Sequence, residues 1–265
     1  MQHAETSTES SHEGHGHEMP VGGLAVADRG FSLSVVEAPA AAGVPGQLGF
    51  RIEDAVGRPV RSFAKAHERE LHLIVVRTDG EHFQHVHPVL DRATGWWSLP
   101  WQWSAAGAYR VFVDFAPGEG ANDAGSVVLS RLVQVPGMLE PGLDRAPSST
   151  SRAGGFDVTV TGDLLVGGSG PLTITVEREG SAVRSLEPYL GAFGHLVALR
   201  EGDLGYLHVH PEGSEPSAGD LSGPDVVFHA QAPTAGRYWL FFDFQVDGAV
   251  HTARFALDAR RSERS

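Results

Sequence analysis

Cysteine is absent from the chain, which rules out thiolate metal sites, disulfides and cysteine nucleophiles. Methionine occurs three times, and only Met19 lies near a cluster of histidines, so thioether copper(I) sites are not expected in the folded cores. No run of about 18 apolar residues exists to form a membrane-spanning helix. Basic residues are in the minority, 20 Lys and Arg against 33 Asp and Glu, for a formal net charge of −13. That balance argues against nucleic acid or anionic membrane as a partner and favours attraction of cations. No segment sustains a helical periodicity. The opening MQHAETSTES has neither a basic region nor an apolar stretch, so it does not read as a secretory signal. No Ser-His-Asp pattern, phosphate loop or paired-carboxylate signature stands out, so a non-enzymatic role is expected.

What is present points to an all-β protein. The 33 glycines and 16 prolines mark many turns. Between them lie short β-branched and aromatic segments such as LHLIVV (71–76), YRVFVDF (109–115), FDVTVT (156–161), DVVFHA (225–230) and YWLFFDF (238–244). The expected organisation is a disordered His-rich tail over 1–20, a β-sandwich over 21–135, a Pro/Gly/Ser-rich linker over 136–155, a second sandwich over 156–258 and a C-terminal tail over 259–265. Each half has the size and strand spacing of an immunoglobulin-like or cupredoxin-like sandwich of seven or eight strands.

The halves repeat each other. His72, His85, His87 and Pro88 recur 123 positions on as His195, His208, His210 and Pro211, so HVHP occurs twice. Asp114-Phe115 recurs as Asp243-Phe244 at an offset of 129. A turn at Asp79-Gly80 pairs residues whose numbers sum to 159, placing His72 opposite His87 with His85 on the same face. A turn centred on Gly202-Asp203 gives a sum of 405 and the same relationship among His195, His210 and His208. Three imidazoles on one hairpin face can grip a transition ion, with copper(II) or zinc expected from nitrogen donors alone. Asp114 and Asp243 are candidates to ligate or to orient a ring. The tail histidines His3, His12, His15 and His17 form a flexible metal-scavenging composition.

Other residues carry less. His67, His82, His229 and His251 have no counterpart in the other half and read as surface or packing residues. Trp96, Trp97, Trp101 and Trp103 read as sandwich core. Arg131 and Arg254 read as surface or ion-pair residues.

The stretches LHLIVVRTDGEHFQHVHP (71–88) and YLGAFGHLVALREGDLGYLHVHP (189–211) resemble those of actinobacterial exported proteins of the heavy-metal-binding-domain type. The resemblance spans roughly residues 21–258. It implies an extracytoplasmic protein of metal handling, copper included, with His72, His85, His87, His195, His208 and His210 at the motif positions. A metal transporter or acceptor protein would then be the partner. A cupin-like metalloenzyme is the nearest alternative, on Gly80, His85, His87, Asp91 and Gly95, but its spacing is short and its acid is Asp rather than Glu. A structural or adhesive pair of sandwiches with packed histidines is the third reading.

Overall fold

The computed structural model describes residues 21–118, 125–142, 146–217 and 219–261, without the side chains of His208 and His210. The segment read as a His-rich tail, with His3, His12, His15 and His17, lies outside the described residues, as do residues 262–265. Among the described residues there are strands, turns and loops but no helix, and so no helix long and apolar enough to cross a membrane.

The first unit comprises β1 (Ala27–Asp28), β2 (Phe31–Leu33), β3 (Gly46–Glu53), β4 (Phe63–Ala64), β5 (Leu71–Arg77), β6 (Gln84–Val86), β7 (Val89–Asp91), β8 (Trp96–Trp101), β9 (Gly107–Pro117) and β10 (Val127–Val135). The second comprises β11 (Thr150–Ala153), β12 (Phe156–Thr161), β13 (Leu165–Val166), β14 (Gly170–Arg178), β15 (Ser181–Ala182), β16 (His195–Arg200), β17 (Tyr206–His208), β18 (His210–Pro211), β19 (Asp225–Ala230), β20 (Gly236–Val246) and β21 (Ala249–Arg261). Each unit is a sandwich of two sheets. In the first they run β1-β2-β3-β8-β7 and β10-β9-β5-β6, and in the second β11-β12-β14-β19-β18 and β13-β21-β20-β16-β17.

Two expected boundaries shift. The stretch assigned to the linker contributes β11, which pairs with β12, and Ser148 pairs with Ala256. Polar Thr150, Ser151 and Arg152 hide this edge strand from a hydrophobicity reading. The last strand runs to Arg261, past the expected end at 258.

Each sandwich closes over its own core. In the first, Leu48, Phe50, Leu73, Val75, Trp97, Trp103, Val111 and Val113 are almost fully buried; in the second, Phe156, Ile174, Phe228, Leu240, Phe242 and Phe255 are. Trp97, Trp101 and Trp103 are core residues as expected, whereas Trp96 lies across β3 so close to Gly49 that a Cβ there would come within 2.5 Å of its ring.

A third apolar cluster joins the units. Ile74, Val76 and Phe112 of the first meet Val197, Leu199, Leu204, Trp239, Phe241 and Ala256 of the second. Phe83 stacks on Phe241 with centroids 3.9 Å apart and planes 3° from parallel. Glu81 pairs with Arg254 across the same boundary. The facing sheets are therefore covered on both sides, and all seven residues of β5 are buried. A strand covered on both faces reads as a continuous apolar run instead of an alternation, which explains LHLIVV, HLVAL and YWLFFDF.

Candidate metal centre

Side chains alternate along a strand, and that alternation builds the site. On β5, Leu71, Leu73 and Val75 enter the first core, so His72 shares the opposite face with Ile74 and Val76, the face turned to the second unit. On β20, Tyr238, Leu240 and Phe242 enter the second core, and Asp243 shares a face with Trp239 and Phe241. The histidines are thus the polar end of the apolar contact between the units. His72 lies opposite Asp114 on β9, and His195 opposite Asp243 on β20.

The hairpin registers are those the turns predict. Ile74 faces His85 and Leu73 faces Val86, while Val197 faces His208. The first turn reaches its register by a different route from a two-residue loop. Gly80 N–H donates to Arg77 C=O and Arg77 N–H to Glu81 C=O, and His82 then takes a left-handed φ of 54° as an extra residue on the return strand. Such a bulge restores the alternation that a one-residue slip would have inverted.

His72, His85 and His87 converge. His72 Nδ1 lies 3.0 Å from His85 Nε2 and 3.2 Å from His87 Nε2. Ring centroids are 5.3 Å apart for His72–His85 and 5.0 Å for both His72–His87 and His85–His87. Imidazoles held tetrahedrally at about 2.0 Å from one ion would have nitrogens about 3.3 Å apart and centroids about 5 Å apart. These three rings match that arrangement, with a potential donor atom from each within 4.8 Å of the others.

The outer nitrogens fix the tautomers. His72 Nε2 is 3.0 Å from the Ala66 carbonyl, which accepts only, so the proton is on Nε2 and Nδ1 carries a lone pair. His85 Nδ1 is 2.8 Å from Asp243 Oδ2, so its proton is on Nδ1 and, in the neutral ring, Nε2 carries a lone pair. Two lone pairs then face each other at 3.0 Å, an arrangement that a cation between them relieves. Asp243 also accepts from the Thr252 hydroxyl, which fixes the carboxylate behind His85. A carboxylate holding the far nitrogen of a ligand imidazole orients the ring and raises its basicity.

Burial favours the neutral form of His72 and His87, the form that binds metal. It is the first cause of the depressed pKa of His72 (about 4) and His87 (about 2), and His85 as a competing positive neighbour adds to both. His195 is lowered to about 3, again mainly by burial.

The second unit repeats part of this. His195 Nε2 is 2.8 Å from the Tyr189 carbonyl, as His72 is bonded to Ala66, each partner six residues upstream. His195 lies beside the first set: its centroid is 6.4 Å from His72, 6.3 Å from His85 and 5.2 Å from His67. Among the described side chains, His195 of the site expected in the second half lies at the boundary between the units, because both histidine faces point at the other unit. His208 and His210 have backbone positions opposite Val197 and His229. Of the two aspartates, Asp243 orients His85, while Asp114 accepts from the Tyr206 hydroxyl at 3.2 Å and from Ser126.

A cavity between the units is lined by His67, His72, His85, Asp114, His195 and Tyr206, among others. Tyr206 is not singled out by the sequence reading, and His67, read there as a surface or packing residue, lines the cavity instead. The signal for His67 was its place directly after the first residue of a turn, Ala66–Arg69, that recurs 123 positions on, and for Tyr206 its alignment with Phe83 at the same offset. Arg254, read as a surface or ion-pair residue, is an ion-pair residue between units.

The family described as a domain of unknown function (DUF8832) matches residues 25–129 and 150–261, one stretch in each sandwich. No curated protein matches the chain. Among solved structures, domains 1–6 of the surface layer protein SbsC are 9% identical, with a TM-score of 0.28, over 83% of this chain and 24% of that one, so the chain spans about a quarter of its length. The fibronectin(III)-like modules of Clostridium thermocellum CbhA are 11% identical over 88% of this chain and 97% of theirs, with a TM-score of 0.23. The Yersinia pseudotuberculosis adhesin InvE is 10% identical over 89% of this chain and 61% of its own, with a TM-score of 0.24.

Proposed function

The chain belongs to the family described as a domain of unknown function (DUF8832), and from that premise we propose that it is a metal-binding protein holding copper(II) or zinc on His72, His85 and His87. One observation carries the reading: His72 Nδ1 and His85 Nε2 face each other at 3.0 Å while an acceptor engages the other nitrogen of each ring, so that in neutral rings two lone pairs meet. Three neutral nitrogen ligands suit either metal and leave a further coordination position open on the ion. The role is buffering or delivery outside the cytoplasm, to a transporter or acceptor protein, as the motif resemblance implies. His195, His208 and His210 hold the equivalent positions in the repeat, and of these His195 is the one whose ring is placed beside the first set. No catalytic role is assigned.

A second reading rests on the same contacts. A proton held on His85 would make an ion pair with Asp243, both side chains being 4% exposed, and would let Nε2 donate to His72. The histidines would then be packing residues of a structural pair of sandwiches. A buried pair of this kind stabilises only when its geometry offsets the desolvation of both charges.

The deciding experiment uses the full chain with His3, His12, His15 and His17 replaced by alanine, so that the tail is silent. Copper(II) and zinc are titrated by calorimetry, with and without His85→Ala/His87→Ala. Loss of one equivalent in the double variant, together with a nitrogen-rich copper(II) electron paramagnetic resonance spectrum, supports the metal site. Unchanged binding, or none in the parent, leaves the packed-histidine reading.

A further inference from the structure

We infer that a second metal ion sits between the two sandwiches, held by His67 of the first and His195 of the second beside the His72–His85–His87 site. The inference rests on the reading of that triad as a metal site and adds a centre that neither unit can form alone.

The geometry begins with the turns. Ala66 and Arg69 exchange backbone hydrogen bonds, N–H of each to C=O of the other at 2.8 and 3.1 Å, so His67 and Glu68 are the two residues of a tight hairpin loop. Both have positive φ, 50° and 62°. That loop type is ordinarily filled by Asn-Gly or Asp-Gly, because other residues are strained there. The second unit has the same turn 123 positions on. Tyr189 and Ala192 exchange the same bonds around Leu190 and Gly191, with φ of 55° and 75°. The carbonyls of Ala66 and Tyr189 also accept from His72 and His195. In each unit, therefore, the turn and the histidine it anchors form one rigid piece.

The copies differ in what the turn presents. Leu190 is 3% exposed and packs as an apolar residue. His67 lines the cavity between the units with His195. Their centroids are 5.2 Å apart, the spacing found within the triad, and His67 is 6.1 Å from His72. With Nε2 of His195 bonded to Tyr189, its Nδ1 is the nitrogen left for a ligand, and it has no hydrogen-bond partner among the described residues. His195 is itself only 8% exposed. A buried imidazole with an unengaged nitrogen, a second imidazole at ligand spacing and a cavity against both make a place for a divalent transition ion. The ion would lie within a few ångström of the triad, so two copper(II) ions would be magnetically coupled.

The test is made in the full chain with the four tail histidines replaced by alanine, using copper(II) as the probe. His67→Leu is the informative variant, because the second unit accepts leucine at the equivalent turn position. The parent should take up two ions and show a half-field electron paramagnetic resonance transition from coupled copper. His67→Leu and His195→Ala should each bind one ion and lose that transition, and His87→Ala should lose the triad ion instead. Two ions retained in His67→Leu, or two ions without magnetic coupling, overturn the inference. A single ion in the parent, abolished by His87→Ala, overturns it while leaving the triad intact. No ion in the parent overturns the triad and the inference together.

Discussion

His85 of the first sandwich and Asp243 of the second are joined by a hydrogen bond of 2.8 Å between side chains each 4% exposed. An imidazole of the proposed site, supplied by one unit, is thus aimed by a carboxylate supplied by the other. Asp243→Asn keeps an acceptor near His85 Nδ1 but removes the charge that raises ring basicity. Ion affinity should fall about 10- to 100-fold, read by competition with a chelator of known affinity. If the affinity is unchanged, the carboxylate plays no part in holding the ion.

Acid should weaken the metal-free protein. Unfolded, its histidines titrate near 6.5; folded, His72 resists protonation to about 4, His195 to about 3 and His87 to about 2. As pH falls below about 6.5 the unfolded chain takes up protons that the folded chain refuses, so stability drops until the folded values are passed. Above about 6.5 both states are neutral and this contribution is fully present. Urea midpoints at about pH 7.5 and about pH 4.5 should show the loss, and His87→Leu should reduce the difference. A midpoint equally pH-dependent in that variant would assign the effect to other groups.

Docking of the units should control metal affinity. Gly80 has a φ of +81°, and a Cβ there would lie 2.5 Å from the Trp239 ring. Gly80→Val therefore clashes at the boundary and strains the turn, with an expected cost of about 1–3 kcal/mol. Phe241→Ala removes the partner of Phe83 and should cost about 3–5 kcal/mol. Both leave His72, His85 and His87 in place but displace Asp243, so affinity should drop in step with stability. A variant with its units parted and its affinity intact would show the triad to be self-sufficient.

The repeat and the hairpin register were legible because β structure ties spacing to face. His-x-His necessarily shares a face, and matching turns in both halves place a third histidine on it. What could not be read was where that face pointed. LHLIVV is apolar at nearly every position, a sign of cover on both sides, but the sequence does not say that the second cover is the other half. The convergence of His67 and His195 follows from that docking, and local pattern has no access to it. The strand Thr150–Ala153 was missed for a simpler reason: an edge strand can be polar and small, like the linker it was assigned to.

Metal should stabilise the folded chain by mass action. An ion that binds only the folded state adds about 2.7 kcal/mol at a free concentration 100 times its dissociation constant. The unfolded chain keeps its histidines, and the His-rich tail would bind metal in either state, so the increment must be measured with the four tail histidines replaced. Urea unfolding with zinc and with a chelator should then differ by an amount that grows with free zinc. His85→Ala/His87→Ala should abolish most of that difference. Because Asp243 belongs to the second unit, zinc should also raise the unfolding midpoint of that unit, followed through Trp239 fluorescence in a chain where the other tryptophans are replaced by phenylalanine. An increment confined to the first unit would mean that the hydrogen bond from His85 to Asp243 does not couple the ion to the second sandwich.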